Sequence, residues 1–267
     1  MAKERRFGVE VEGYLGNSAT IHDLAAALCA AGVRTEVQRY NHTTPRGIWK
    51  IVPDGSLHSM ANPFELVSPP LKGDEGRETI KKVSAVLVTI GAKVDRTCGF
   101  HVHIEANDFD LDAMRRVVAI AVRFERAMDS LVPASRRGNR NRFAESNGRL
   151  LGRNRQQALQ ALAGYSSIDS LARAQGSRYH KLNLESFARY GTVEFRQHSG
   201  TISAEKMIPW VMLCMGIVNS AKRSRSVCSG SARASSFNVM MKRVRPEYRE
   251  ALSARRVALA GVESEAN

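Results

Sequence analysis

The 267-residue chain is poor in cysteine and in aromatics, and it has no long apolar run. Its four cysteines, Cys29, Cys98, Cys214 and Cys228, form no C-x-x-C pair. That spacing argues against a zinc knuckle, and four cysteines in a chain of this length do not make a disulfide scaffold. The longest apolar stretch, residues 207–218, contains Pro209 and is too short to span a bilayer. The N-terminal MAKERRFGVEVEG is charged and lacks the apolar core of a signal peptide. These features predict a soluble, cytoplasmic protein without membrane contact. Neither a Gly-x-x-x-x-Gly-Lys loop nor a His-Glu-x-x-His helix occurs, so a P-loop nucleotide site is excluded.

Acidic residues are also scarce overall: 26 against 40 Lys and Arg, a formal net charge of +14. The deficit is local. Residues 1–133 hold 17 of each sign, whereas residues 134–267 hold 23 basic and nine acidic side chains. The excess gathers in residues 134–156, with seven Arg against one Glu, and in residues 219–267, with ten basic against four acidic. At 43% apolar and 25% charged the composition is that of a globular protein, long enough to bury a core without staples.

Periodicity predicts strands at 7–12, 33–38, 47–52, 64–67 and 99–105, and helices at 21–31, 79–90 and 111–131. Residues 134–154, rich in Arg, Asn, Gly and Ser, read as a long loop, the kind that is usually functional or disordered. Two short helices follow. Residues 179–187 and 192–198 read as paired strands joined around Arg189-Tyr190-Gly191, and 203–221 as an apolar core helix bent near Pro209. A basic tail begins at Lys222, with a helix after Phe237. This order does not alternate as strand and helix, so it predicts an α+β domain with a largely antiparallel sheet.

Three of the strands put charge on one face, because residues i and i+2 of a strand point the same way. Glu10 and Glu12 oppose Val9 and Val11. His101, His103 and Glu105 oppose Phe100, Val102 and Ile104. Thr192, Glu194, Arg196 and His198 oppose Val193 and Phe195. One such face alone reads as solvated. Solvated faces favour Lys, Thr and Ser, however, and neighbouring carboxylates repel unless a cation lies between them. Carboxylates and imidazoles are ligands for divalent metals. If the three strands are neighbours, the merged face carries the groups of metal-assisted phosphoryl transfer. A further segment ends in Asp54-Gly55-Ser56, which also suits a hairpin turn. Glu65 is a lone carboxylate in an apolar strand before Pro69-Pro70.

Taken together these segments resemble the amidoligase family of glutamine synthetase-like carboxylate–amine ligases. The resemblance runs through Phe7-Gly8-Val9-Glu10-Val11-Glu12, Pro53-Asp54-Gly55-Ser56-Leu57 and Glu65-Leu66-Val67-Ser68-Pro69-Pro70. It continues through Cys98-Gly99-Phe100-His101-Val102-His103, Ser135-Arg136, Asn141-Arg142-Phe143, Lys181-Leu182-Asn183 and Thr192-Val193-Glu194-Phe195-Arg196, ending at Gly200-Thr201. It implies a glutamine synthetase-like antiparallel sheet, flanked by helices, whose concave face binds ATP and Mg2+ or Mn2+. It implies that a carboxylate is activated as an acyl phosphate and attacked by an amine to form an amide or isopeptide bond.

Carried onto this chain, Glu10, Glu12, Glu65, His103 and Glu194 form the metal set, with His101 as the second histidine, which also serves in the cofactor set. Glu10, Glu194, Arg196 and Asp54 are the catalytic candidates. Arg136, Asn141, Lys181 and Arg196 are the nucleotide-side candidates. Residues 1–221 then form the catalytic domain, and 222–267 a basic extension, helical or partly disordered. The partners expected are small-molecule or peptide carboxylates and amines, with a nucleic acid as a further candidate for the basic tail. Two alternatives stand beside this reading: a related metal-dependent small-molecule phosphotransferase using the same face, and a non-catalytic nucleic-acid-binding protein using the loop from Arg136 to Arg155 and the basic tail.

Overall fold

A computed structural model describes residues 4–17, 19–39, 41, 43, 47–53, 57, 61–150, 152, 155–224 and 236–265. The chain divides into two compact units, one of residues 4–103 and 198–208, the other of residues 104–197 and 209–267.

In chain order the first unit carries β1 (Phe7–Tyr14), α1 (Ile21–Ala30), β2 (Thr35–Val37), β3 (Trp49–Pro53), β4 (Pro63–Val67), α2 (Gly73–Thr89) and most of β5 (Gly99–Glu105). Its strands lie in the order β2-β3-β4-β1-β5. β1 and β3 both run antiparallel to β4, but β2 is parallel to β3. The expected largely antiparallel pairing is present, and the β2–β3 pair makes the sheet mixed at that edge. Parallel pairing needs a long return connection, and residues 38–48 supply one. Phe7, Val9 and Val11 alternate into the core on β1, with Ile51, Phe64 and Leu66 from the neighbouring strands.

Local chemistry sets the helix ends. Thr20 and Asp23 form a reciprocal capping box at the start of α1. α2 begins six residues before the expected start, because 73–78 are too polar to show an apolar period. Asp74 and Glu75 sit in its first turn, where carboxylates suit the helix dipole. Arg77 is buried there, paired with Glu4 at 3.2 Å and with Asp74.

The second unit holds α3 (Leu111–Asp129), a 3-10 turn at Ala134–Arg136, another at Asn147–Leu150, α4 (Arg155–Gly164), α5 (Ile168–Arg173), β6 (Leu182–Asn183), α6 (Glu185–Tyr190) and most of β7 (Thr192–Ser199). Most of α7 (Ala204–Arg223), then α8 (Phe237–Met241) and α9 (Pro246–Glu265), complete it. Asp110 caps α3, accepting the Ala113 N–H at 2.7 Å, and Met114, Val117, Val118, Phe124 and Met128 form its buried stripe. The helix expected from the apolar run is α7, whose Trp210, Leu213, Cys214 and Ile217 are fully buried. The tail beyond it adds to this packing: α8 meets α3, and the Arg255 Nε donates to the Leu131 carbonyl at 2.7 Å.

The segment at 179–187 departs from expectation. Pairing with β7 is present, with Leu182 opposite Phe195 and Asn183 opposite Glu194, but the strand is two residues long. Asn183 ends it by accepting the Glu185 N–H at 2.9 Å through its side chain, which starts α6. Gly191, at φ +65°, closes α6 in the left-handed conformation and donates to the Phe187 carbonyl.

Candidate active-site face

The register of the first unit arranges its polar face as a grid. Lys50 on β3 and Glu10 on β1 both pair with Val67 of β4, so the three residues form one row. Val52 and Glu12 both pair with Glu65 and form the next row. Two carboxylates, Glu12 and Glu65, therefore stand directly opposite each other, an arrangement that is destabilising without positive charge nearby. The adjacent strand β5 brings His101 and His103.

Glu10 is the centre of this cluster. One of its oxygens lies 3.0 Å from His101 Nδ1 and the other 3.1 Å from His103 Nε2. His101 Nε2 is 3.6 Å from Glu12, whose other oxygen accepts the Gly99 N–H at 2.6 Å. A side chain at Gly99 would place its Cβ 2.6 Å from His101 Nε2, so only glycine allows the imidazole to lie there. The face is not the solvated surface that a single alternating strand suggests: the side chains of Glu10, Glu12, His101 and His103 are 20%, 14%, 5% and 12% exposed. Burial pushes the Glu10 carboxyl up. Hydrogen bonds and charge from His101 and His103 outweigh it and hold the group well below the usual carboxylate range.

One ligand atom each from Glu10, Glu65 and His101 lie within 4.8 Å of one another. Carboxylate oxygen and imidazole nitrogen are donors suited to Mg2+, Mn2+ and related divalent ions, so these residues fit the metal that the family resemblance implies. Lys50 belongs to the same face and was missed by the sequence argument. It is 3% exposed, and its ammonium donates to the Asn41 carbonyl at 3.0 Å, the Asn41 side-chain oxygen at 3.1 Å and the Thr43 carbonyl at 2.8 Å. Burial lowers its pKa, opposed by the charges of Glu65 and Glu10. A lone cation within the apolar run of β3 was its signal, as a lone carboxylate was for Glu65.

Most of the remaining candidates lie in the second unit. Glu194 is 4% exposed and is bracketed by Asn183, whose amide donates to one oxygen at 2.6 Å, and Arg196, which donates to the other at 2.5 Å. The Arg196 guanidinium also stacks 5.9 Å from the Tyr179 ring centroid, and its Nε donates to the Phe143 carbonyl at 3.4 Å. Lys181 is buried and held by Glu125 at 3.1 Å and Asp129 at 2.8 Å. Arg136 is buried in its 3-10 turn, 2% exposed. Asn141 supports the arginine-rich loop, accepting the Phe143 N–H at 2.8 Å. That loop is stitched to the β6 segment by paired bonds between Asn147 and Leu182, each 2.8 Å. His198, placed by alternation with Glu194, sits against Phe100 with ring centroids 5.7 Å apart. Asp54, with Gly55 and Ser56, lies outside the described residues. Among the described residues no helix is long and apolar enough to cross a membrane.

Fold and face together define an α+β protein with a buried carboxylate–imidazole cluster on its sheet, suited to a divalent cation. Residues 3–218 match the family model described as "Putative amidoligase enzyme", and the chain belongs to that amidoligase family. No curated protein matches the chain. Among solved structures it is similar to a bifunctional glutathione synthetase from Pasteurella multocida, at 12% identity and TM-score 0.46, over 96% of this chain and 48% of that one. The chain thus spans about half the length of that protein. It is also similar to a novel glutamine synthase homolog, at 12% identity and TM-score 0.48, over 97% of this chain and 67% of that one.

Proposed function

We propose that the protein is an ATP-dependent carboxylate–amine ligase that forms an amide or isopeptide bond through an acyl phosphate. The observation that carries this reading is the cluster of Glu10, Glu65 and His101, two carboxylates and a buried imidazole converging on one face of a chain in the amidoligase family. The family match ends at residue 218, which supports residues 1–221 as the catalytic part and 222–267 as an accessory extension.

A carboxylate oxygen is a poor leaving group and phosphate a good one, which is why activation precedes amide formation. A substrate carboxylate oxygen attacks the γ-phosphorus of ATP and ADP departs. The amine then attacks the acyl carbon, phosphate departs, and the amine proton passes to a carboxylate or imidazole acting as base. A divalent cation, when bound, neutralises charge on the ATP phosphates. In this reading Glu10, Glu65 and His101 hold the cation, with Glu12 as a further acidic ligand. His103 orients the Glu10 carboxylate through its 3.1 Å contact. Arg196 presents its guanidinium to a phosphate, and Arg136 and Asn141 shape the loop on the nucleotide side. Excluding water would protect the acyl phosphate from hydrolysis.

Calorimetry with ATP, with and without Mg2+, tests the first step, and absence of Mg2+-dependent ATP binding would sink the reading. An ATP-consumption screen across amino acids, polyamines and acidic peptides, with mass spectrometry of products, tests the second. ADP with a product joined by loss of water supports the ligase. ADP with a phosphorylated acceptor indicates a phosphotransferase instead.

A further inference from the structure

Lys50 is the feature of the metal face that the proposed chemistry does not use. It shares a row with Glu10 across β4, two strand spacings or about 9.5 Å away along the sheet. It is also the diagonal neighbour of Glu65, since its strand neighbour Val52 is the residue that pairs with Glu65. Its ammonium is compact and buried, and its three protons match the three oxygens it meets on residues 41 and 43. A buried lysine bonded only to neutral oxygens is costly unless negative charge lies within reach, and Glu65 and Glu10 supply that charge. The placement is therefore held from two sides: Asn41 and Thr43 fix the position of the ammonium, and the carboxylates of the face favour its charge.

We propose that Lys50 is a positioning residue that acts as a built-in counter-cation of the metal face, held in place by residues 41 and 43, and that it limits how tightly the face binds a divalent ion. The inference rests on the reading of Glu10, Glu65 and His101 as metal ligands. A fixed positive charge repels an arriving divalent ion at this range even after protein and solvent screening. Weak intrinsic binding suits an ion that enters and leaves with a nucleotide. The carboxylates meanwhile remain neutralised when no ion is bound, which answers the opposition of Glu12 and Glu65 across the strands.

The test is Mn2+ affinity measured calorimetrically on the full chain without nucleotide, in the wild type, Lys50→Met, Lys50→Gln and Lys50→Arg. Lys50→Met removes the charge and the clamp, while Lys50→Gln keeps a polar donor for the same oxygens and removes only the charge. Both are expected to bind Mn2+ about tenfold more tightly than the wild type. Lys50→Arg keeps the charge and should stay within about threefold of it. Lys81→Met, which removes an exposed charge paired with Glu78 on α2, is expected to change nothing. A residue that only packs β3 would not tighten metal binding when replaced. Unchanged or weaker Mn2+ affinity in both Lys50→Met and Lys50→Gln overturns the inference and leaves the ligase reading standing. Absence of Mn2+ binding in the wild type and all variants overturns both. Amide exchange at Thr43 gives a second readout: it should quicken in Lys50→Met and not in Lys50→Arg, and equal exchange in the two would refute the clamp.

Discussion

Both units hold largely covered carboxylates, and the groups in direct contact with them differ. On the face of the first unit Glu10 is met by two imidazoles, His101 at 3.0 Å and His103 at 3.1 Å. In the second unit Glu125 and Asp129, one helical turn apart on α3, are met by the ammonium of Lys181 at 3.1 and 2.8 Å. An imidazole is a metal ligand in its neutral form, so a cluster built on it can take up a metal ion. An ammonium is no such ligand. Asp129 is further fixed by the Gly138 N–H at 3.1 Å and by the Gln197 amide. The first arrangement holds carboxylates ready for a cation; the second ties α3, the arginine-rich loop, the β6 segment and β7 into one scaffold.

The largest effect expected from this contrast is on Glu10. Glu10→Gln keeps the size and hydrogen-bonding capacity of the side chain but removes a ligand charge. Mg2+-dependent turnover should fall about a thousandfold, the scale on which loss of a key electrostatic group acts. Stability measured by denaturant unfolding at neutral pH should fall by only about 1–2 kcal/mol, because the amide keeps hydrogen-bond partners and loses only the charge assistance of the two imidazole contacts. The next effect runs the other way. Lys181→Met leaves two buried carboxylates without their ammonium and should destabilise the fold by about 3–5 kcal/mol, while the affinity of the folded fraction for Mn2+ stays near wild type. A large stability loss in Glu10→Gln, or a selective loss of metal binding in Lys181→Met, would break the comparison.

Much of the first arrangement was legible in the sequence and little of the second. The period of two in β1 and β5 is unbroken, so Glu10, Glu12, His101 and His103 could be placed on one face without coordinates. The lone Glu65 in an apolar strand stood out in the sequence, but its place opposite Glu12 comes from the strand register. Lys50 was hidden because all of 49–52 is buried, and alternation disappears when both faces of a strand are covered. The partners of Lys181 lie 56 and 52 residues earlier in the chain, on the polar side of α3, and periodicity says nothing about which distant charge a helix face meets. Residues 185–190 form helix α6 instead of strand after the Asn183 side chain turns the chain by accepting the Glu185 N–H, a local competition that a strand pattern does not register.

A smaller effect concerns acid. The Glu10 carboxyl is held below its ordinary value near 4.5, so the folded state binds its proton less readily than the unfolded chain. The stability this contributes is complete above about pH 4.5 and is lost as pH falls through the lower folded value. Thermal unfolding of wild type and Glu10→Gln, compared from pH 7 to pH 3, should therefore show the wild-type advantage shrinking only below about pH 4.5. Mn2+ affinity should rise with pH, since the ion and protons compete for the same imidazoles and carboxylates. An advantage that already fades between pH 7 and pH 5 would mean that Glu10 is not held low.

The smallest effect is a labelling pattern that reports whether the face stays closed. Cys98 precedes Gly99, whose N–H binds Glu12, and burial pushes the Cys98 thiol up to about 12. At pH 8 its thiolate is then roughly one part in ten thousand, and alkylation requires the thiolate. Cys29 is exposed. Iodoacetamide at pH 8, followed by peptide mapping, should modify Cys29 and spare Cys98 in the wild type. Glu10→Gln should leave Cys98 protected, because that carboxylate presents a ligand and does not hold the sheet together. Gly99→Ala should expose it, because the added Cβ meets His101 Nε2 at 2.6 Å and displaces the imidazole and the Glu12 carboxylate that hold this end of the strand. Labelling of Cys98 in Glu10→Gln to the extent seen in Gly99→Ala would show the Glu10–histidine cluster to be a structural lock of the same kind as Lys181 with its two acids, and the distinction between the two regions would fall.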